Sequence, residues 1–151
     1  MMDETFSSID WVTDCLLDTE RTQAFGDAIS KIVKPGSVVL DSGTGSGVMS
    51  LFAAKAGAKK IYALEIDAYV AKTAETNIKN NKFDNVIEVV NEDIRVFNFP
   101  EGTVFDVVIM EMLTTGMVDE YQVWTVNHLF EKGVVNENTI FVPGIQNTYI
   151  S

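Results

Sequence analysis

Val38-Val39-Leu40-Asp41-Ser42-Gly43-Thr44-Gly45-Ser46-Gly47 is the stretch around which the rest of the chain is organised. Val38 to Leu40 read as a short buried strand, the three glycines as a tight loop, and Val48 to Ala56 as the start of a helix. Glycines at a strand-to-helix junction let the backbone turn sharply and approach a ligand closely. The free N–H groups of a helix start favour an anionic group. A nucleotide-like cofactor is the first expectation.

Position 48 is Val, so the run is Gly-x-Gly-x-Gly and not the Gly-x-Gly-x-x-Gly of dinucleotide sites. Asp41, two residues before the first glycine, would repel a pyrophosphate and hold a cationic amino group. S-adenosylmethionine carries an ammonium, a carboxylate and a ribose, and fits that loop better than a dinucleotide.

The 151 residues form one expected domain, 1–151, with an N-terminal helical segment at about 1–34. A chain of this length buries about two-thirds of its unfolded surface. Lys and Arg total 11 against 22 Asp and Glu, a net charge of −11, and no basic cluster exceeds Lys59-Lys60. Nonspecific nucleic-acid binding needs phosphate neutralisation, so this balance disfavours it and favours cationic partners. Cys15 is alone, which excludes a disulfide framework or a cysteine metal cluster. With no long apolar run and an acidic Met-Met-Asp-Glu start, the chain is expected to be cytoplasmic and off the membrane.

Residues 8–17 are weakly helical. In 22–33, Phe25, Ala28, Ile29, Ile32 and Val33 share a helical face that Pro35-Gly36 ends. Lys60 to Ile66 reads as a second strand ending in Glu65, whose carboxylate can accept from both ribose hydroxyls. Asp67 caps a helix over 68–80 with Val70, Ala71, Ala74 and Ile78 on one face. Strand three is Val86 to Val90, and Asp93 beyond its end is placed to accept from an adenine amino group. Strand four is Phe105 to Met110, a helix covers about 119–131, and Thr139 to Val142 is a fifth strand; Ile145 to Ser151 begins what reads as one more. His128, the only histidine, reads as a packing or surface residue. Continuously apolar strands separated by helices imply a parallel sheet covered on both faces, with its ligand off the carboxyl ends of the strands.

Glu111 leaves strand four directly, and Glu120 follows nine residues later across an uncharged stretch with one glycine. Paired carboxylates there suit a cationic nitrogen nucleophile. They can match a guanidinium bidentately and hold its charge on one side.

Taken together, these residues resemble the class I S-adenosylmethionine-dependent methyltransferases, and within them the cofactor domain of protein arginine methyltransferases. The resemblance rests on Val39 to Gly47 with Leu51 to Lys60, on Leu17 to Thr22, on Glu65, and on the Glu111–Glu120 spacing. It implies that Arg21 holds the cofactor's carboxylate. Three departures stand out: the family's adenine-binding glutamate aligns near Arg95, leaving Asp93 as the substitute; the loop between the glutamates reads Met-Leu-Thr-Thr-Gly; and the family's β-barrel domain has no counterpart here.

The expected architecture is α/β, a Rossmann-like three-layer α/β/α sandwich with a mainly parallel sheet in the order 3-2-1-4-5. The expected function is S-adenosylmethionine-dependent transfer of a methyl group to a nitrogen of a cationic protein or small-molecule acceptor, protein arginine first, with S-adenosylhomocysteine as product. Arg21, Asp41, Gly43, Gly45, Gly47, Glu65 and Asp93 would bind the cofactor, and Glu111 and Glu120 would act on the acceptor. No metal is expected. Alternatives are a non-catalytic cofactor-binding module that needs a partner chain, and a nucleic-acid or small-molecule methylase. The run after strand four, Glu111-Met112-Leu113-Thr114, lacks the Asn/Asp-Pro-Pro-Tyr/Phe of amino-adenine methylases. An uncovered fifth-strand edge and an apolar tail suggest a homodimer.

Overall fold

The computed structural model describes residues 8–112, 121–147 and 149. Five parallel strands, β1 (Val38–Ser42), β2 (Lys60–Glu65), β3 (Ile87–Asn91), β4 (Val107–Met110) and β5 (Ile140–Val142), form one sheet in the order β3-β2-β1-β4-β5. Helices α1 (Ile9–Leu17) and α2 (Thr19–Ile32) precede β1, α3 (Val48–Lys55) and α4 (Ala68–Asn80) connect the next strands, and α5 (Gln122–Glu131) connects β4 to β5. The expected fold class and strand order are those observed.

Alternation along the strands sorts the core into two faces. Val39, Ile61, Ala63, Ile87, Val107 and Ile109 pack under α2, α3 and α4 through Ile29, Ala53, Ala74 and Ile78. Leu40, Tyr62, Leu64, Val108 and Met110 face α5 through Leu129. The β3–β4 connection carries no helix. In its place Phe99 and Phe105 meet Tyr62 and each other edge-on, and Phe97 meets Phe99, with centroids 4.9–5.9 Å apart.

Several boundaries moved for local reasons. Asp18 caps α2, its Oδ1 accepting from the Arg21 N–H at 3.0 Å, so α2 begins at Thr19, three residues ahead of the helical face read over 22–33. Asp67 caps α4 as expected, accepting from the N–H groups of Tyr69 and Val70 at 2.8 and 2.9 Å. β4 begins at Val107, because the Asp106 N–H bonds to the Val38 carbonyl ahead of the ladder. Residues 145–147 form no strand, so the further strand expected from Ile145 is not found among the described residues. The expected helix start at 119, with Asp119 and Glu120, lies outside the described residues.

Candidate active site

The strand order reverses between β1 and β4, and the loop after β1 opens at that point. Gly43, Gly45 and Gly47 have φ of 73°, 54° and 82°, the left-handed region that glycine adopts without steric cost. A Cβ on Gly43 would meet Met112 of the β4 exit, and one on Gly45 would meet Val12 of α1, each at 3.4 Å. The loop therefore lies beneath α1 on one side and the β4 exit on the other.

Glu65, 3% exposed, ends β2 and faces this loop. Its Oε2 accepts from the Gly45 N–H at 3.0 Å and its Oε1 from the Asp67 N–H at 3.1 Å. One carboxylate thus fixes the glycine loop and the start of α4. Asn91, opposite Glu65 in register, donates to the carbonyls of Glu65 and Ile66 at 2.9 and 3.0 Å.

Asp41 departs from the expectation. Its carboxylate, 2% exposed, turns into the loop, where Oδ2 accepts from Ser50 Oγ at 2.6 Å and Thr44 Oγ1 at 2.7 Å. Burial pushes its pKa up, and the Ser50 and Thr44 donors pull it back only in part. The side chain expected to face a ligand's amino group instead braces the loop from below. Thr44 and Ser50 were not singled out in the sequence.

Arg21, in the first turn of α2, ion-pairs with Glu111 at the end of β4, and its guanidinium lies 5.2 Å from the Phe25 ring centroid. A second contact runs from its Nη1 to the Cys15 carbonyl at 3.4 Å. The structure brings together the residue expected at the cofactor's carboxylate and the one expected at the acceptor. Cys15 nearby has a raised pKa, set by burial and opposed by Arg21.

Asp93 lies past the end of β3, where it accepts from Arg95: Nε to Oδ1 and Oδ2 at 2.9 and 3.1 Å, Nη2 to Oδ2 at 2.5 Å, and the backbone N–H to Oδ1 at 2.9 Å. Those hydrogen bonds hold its carboxyl below the ordinary range, against a smaller opposing effect of burial. His128 is half-buried on α5, its Nε2 buried and without a hydrogen-bond partner. Glu120 lies outside the described residues. Among the described residues there is no group of acidic, histidine and cysteine side chains that could hold a metal, and no helix long and apolar enough to cross a membrane.

A doubly wound sheet that opens its crevice at this reversal, over a carboxylate-braced glycine loop, defines the class I S-adenosylmethionine-dependent methyltransferases. Residues 19–141 match the family model described as ribosomal protein L11 methyltransferase (PrmA), and the chain belongs to that family. Over 133 residues it is 41% identical to an uncharacterized protein of Methanocaldococcus jannaschii, covering 88% of this chain and 50% of that one. Protein arginine N-methyltransferase 6 of Danio rerio is 34% identical over 119 residues, 78% of this chain and 33% of the relative. Among solved structures, the Trypanosoma brucei PRMT1 enzyme–prozyme heterotetrameric complex with AdoHcy superposes with a TM-score of 0.81 at 26% identity, covering 92% of this chain and 43% of that one. The chain thus spans half or less of the length of these relatives.

Proposed function

We propose that this chain binds S-adenosylmethionine along the carboxyl edge of β1, β2 and β3 and directs its methyl group to a nitrogen of a cationic acceptor, a protein arginine side chain first. The observation that carries the acceptor half is the Arg21–Glu111 pair: the carboxylate leaving β4 beside the glycine loop already holds a guanidinium. At the carboxyl edge the charges are paired, Glu111 with Arg21 and Asp93 with Arg95, while Glu65 is buried against the glycine loop.

The residues present fit the cofactor. Glycines 43, 45 and 47 hold the loop in left-handed conformations that other residues rarely adopt, packed against Met112, Val12 and Ile78. Glu65 is buried there as a charged acceptor for vicinal hydroxyls. Arg21 has five N–H donors, enough for both Glu111 and a ligand carboxylate. Asp41 would act through Thr44 and Ser50, by shaping the loop, and Asp93 would meet the adenine amino group. S-adenosylmethionine, when bound, supplies a methyl group already activated by its sulfonium charge. Glu111, with Glu120, would orient the acceptor, pin its positive charge on the far nitrogens and take up the proton released.

Relatives support a protein acceptor, since the Danio rerio protein is named for arginine and the family model for a ribosomal protein. A second reading is a nitrogen of a protein acceptor other than arginine, since the family model is named for a ribosomal protein. The Trypanosoma brucei complex, an enzyme with a prozyme, supports action together with a second chain. The test is incubation with methyl-labelled S-adenosylmethionine and a fractionated cell extract, followed by acid hydrolysis and amino-acid analysis. Label in methylarginine is the expected result, abolished by Glu111→Gln. Label in methyl-lysine supports the second reading, and label in nucleic acid refutes both. A chain that binds the cofactor but labels nothing is a binding module.

A further inference from the structure

α5 starts without a capping side chain, since Tyr121 at its N-cap makes no side-chain hydrogen bond to the first turn. Two tertiary contacts hold that end instead. Gln122 Oε1 accepts from the Met112 N–H at 3.0 Å, which ties the helix to the exit of β4. The Tyr121 ring lies 4.3 Å beneath the Arg95 guanidinium, which is chelated by Asp93 past the end of β3. β3 and β4 flank the β2–β1 pair, so the first turn of α5 is pinned on both sides of the edge where the adenosine would lie.

The geometry points to Arg95 as a positioning residue that sets the α5-side wall of the cofactor groove, by locking Tyr121 onto Asp93. This rests on the proposed cofactor reading. The chemistry requires arginine: its planar fork takes the carboxylate edge-on while its face covers an aromatic ring, and an ammonium cannot do both. A purely local staple of the turn would need only the Asp93 contacts, and lysine would largely replace it. The Tyr121 contact is what extends Arg95 beyond its own turn. Arg95 itself acts through Asp93 and Tyr121 and need not touch the ligand.

The test titrates the whole chain with two probes, S-adenosylhomocysteine and 5′-methylthioadenosine, the latter carrying only the adenosine half. Arg95→Lys and Arg95→Ala should each weaken both probes about tenfold. Tyr121→Phe, which keeps the ring but loses the hydroxyl that hydrogen-bonds Arg95, should fall between the wild type and Tyr121→Ala, and adding Tyr121→Ala to Arg95→Ala should cost nothing more, because coupled residues are non-additive. Arg21→Ala provides the contrast, weakening S-adenosylhomocysteine while sparing 5′-methylthioadenosine. An Arg95→Lys variant that binds both probes like the wild type overturns the inference, as does a loss that spares 5′-methylthioadenosine. Should Arg95→Ala fail to fold, Arg95→Lys and Tyr121→Ala carry the test. A wild-type chain that binds neither probe overturns the cofactor reading itself, a result distinct from either.

Discussion

Replacing Glu65 by Gln is the substitution with the most sharply calculable outcome. Both carboxylate oxygens accept backbone N–H groups, Gly45 at 3.0 Å and Asp67 at 3.1 Å, in a side chain only 3% exposed. Glutamine can offer its carbonyl oxygen to one of them, but its amide NH2 then faces the other, donor against donor. One charge-assisted hydrogen bond becomes neutral and the other is lost with its donor left unsatisfied, which costs about 2–3 kcal/mol. In a chain of 151 residues each kcal/mol lowers the midpoint by about 2–4 °C, so the melting temperature should fall by about 4–12 °C. Scanning calorimetry measures that fall. Hydrogen exchange should show the Gly45 and Asp67 amides opening faster than in the wild type. Because the same carboxylate is the proposed ribose acceptor, S-adenosylhomocysteine should bind about 10–100-fold more weakly by titration calorimetry. A variant with wild-type melting, wild-type amide exchange and wild-type affinity would refute the assignment of Glu65 as the brace of the loop.

Further expectations concern the rest of the site and the core. Glu111→Gln should abolish methyl transfer yet leave S-adenosylhomocysteine binding within about fivefold, since a half-exposed ion pair of this kind contributes only about 0–1 kcal/mol; equal loss of both would make Glu111 structural. Gly47→Ala, at φ 82° and with its new Cβ 3.4 Å from Ile78, should destabilise by about 1–2 kcal/mol in urea titration, and unchanged stability would contradict the left-handed cap of α3. Phe105→Ala removes a ring 1% exposed from the aromatic cluster and should cost about 3–5 kcal/mol by the same titration. For pH, the folded Asp93 carboxyl is depressed by Arg95, so its contribution is present above its unfolded pKa and is lost as pH falls through the lower folded one. The stability gap between wild type and Arg95→Ala should therefore be full at neutral pH and close in acid below the ordinary carboxylate range; a gap that widens on acidification would contradict it.

The fold was legible because its signals were local and strong. Near-continuous apolar runs at 61–64 and 107–110, the first lying between two helical patterns and the second ahead of one, admit little besides a parallel sheet. The inward turn of the Asp41 carboxylate was not read because position at a strand end was considered without side-chain parity. Val39 faces α3, so Asp41, two residues on, must face it as well, and the hydroxyls of Thr44 and Ser50 mark where its carboxylate goes. That much was available in the sequence. The Asp93–Arg95 chelate and the Arg95–Tyr121 stack were less accessible. The first is a two-residue turn contact that many Asp-x-Arg segments do not make, and the second joins positions distant in the chain through the packing of α5. The start of α2 was missed for a simpler reason: Asp18 was read as one charge among several, although an aspartate three residues before Arg21 is an N-cap signature.

The central claim is that the loop 43–47, braced by Glu65, and Arg21, paired with Glu111 at the β4 exit, form a cradle for S-adenosylmethionine. Titration calorimetry of the chain with S-adenosylhomocysteine tests it most directly. The expected result is saturable heat, one molecule per chain, weakened by Glu65→Gln and by Arg21→Ala but preserved in Glu111→Gln. An absence of heat in the folded wild-type chain, or binding indifferent to Glu65 and Arg21, would contradict it.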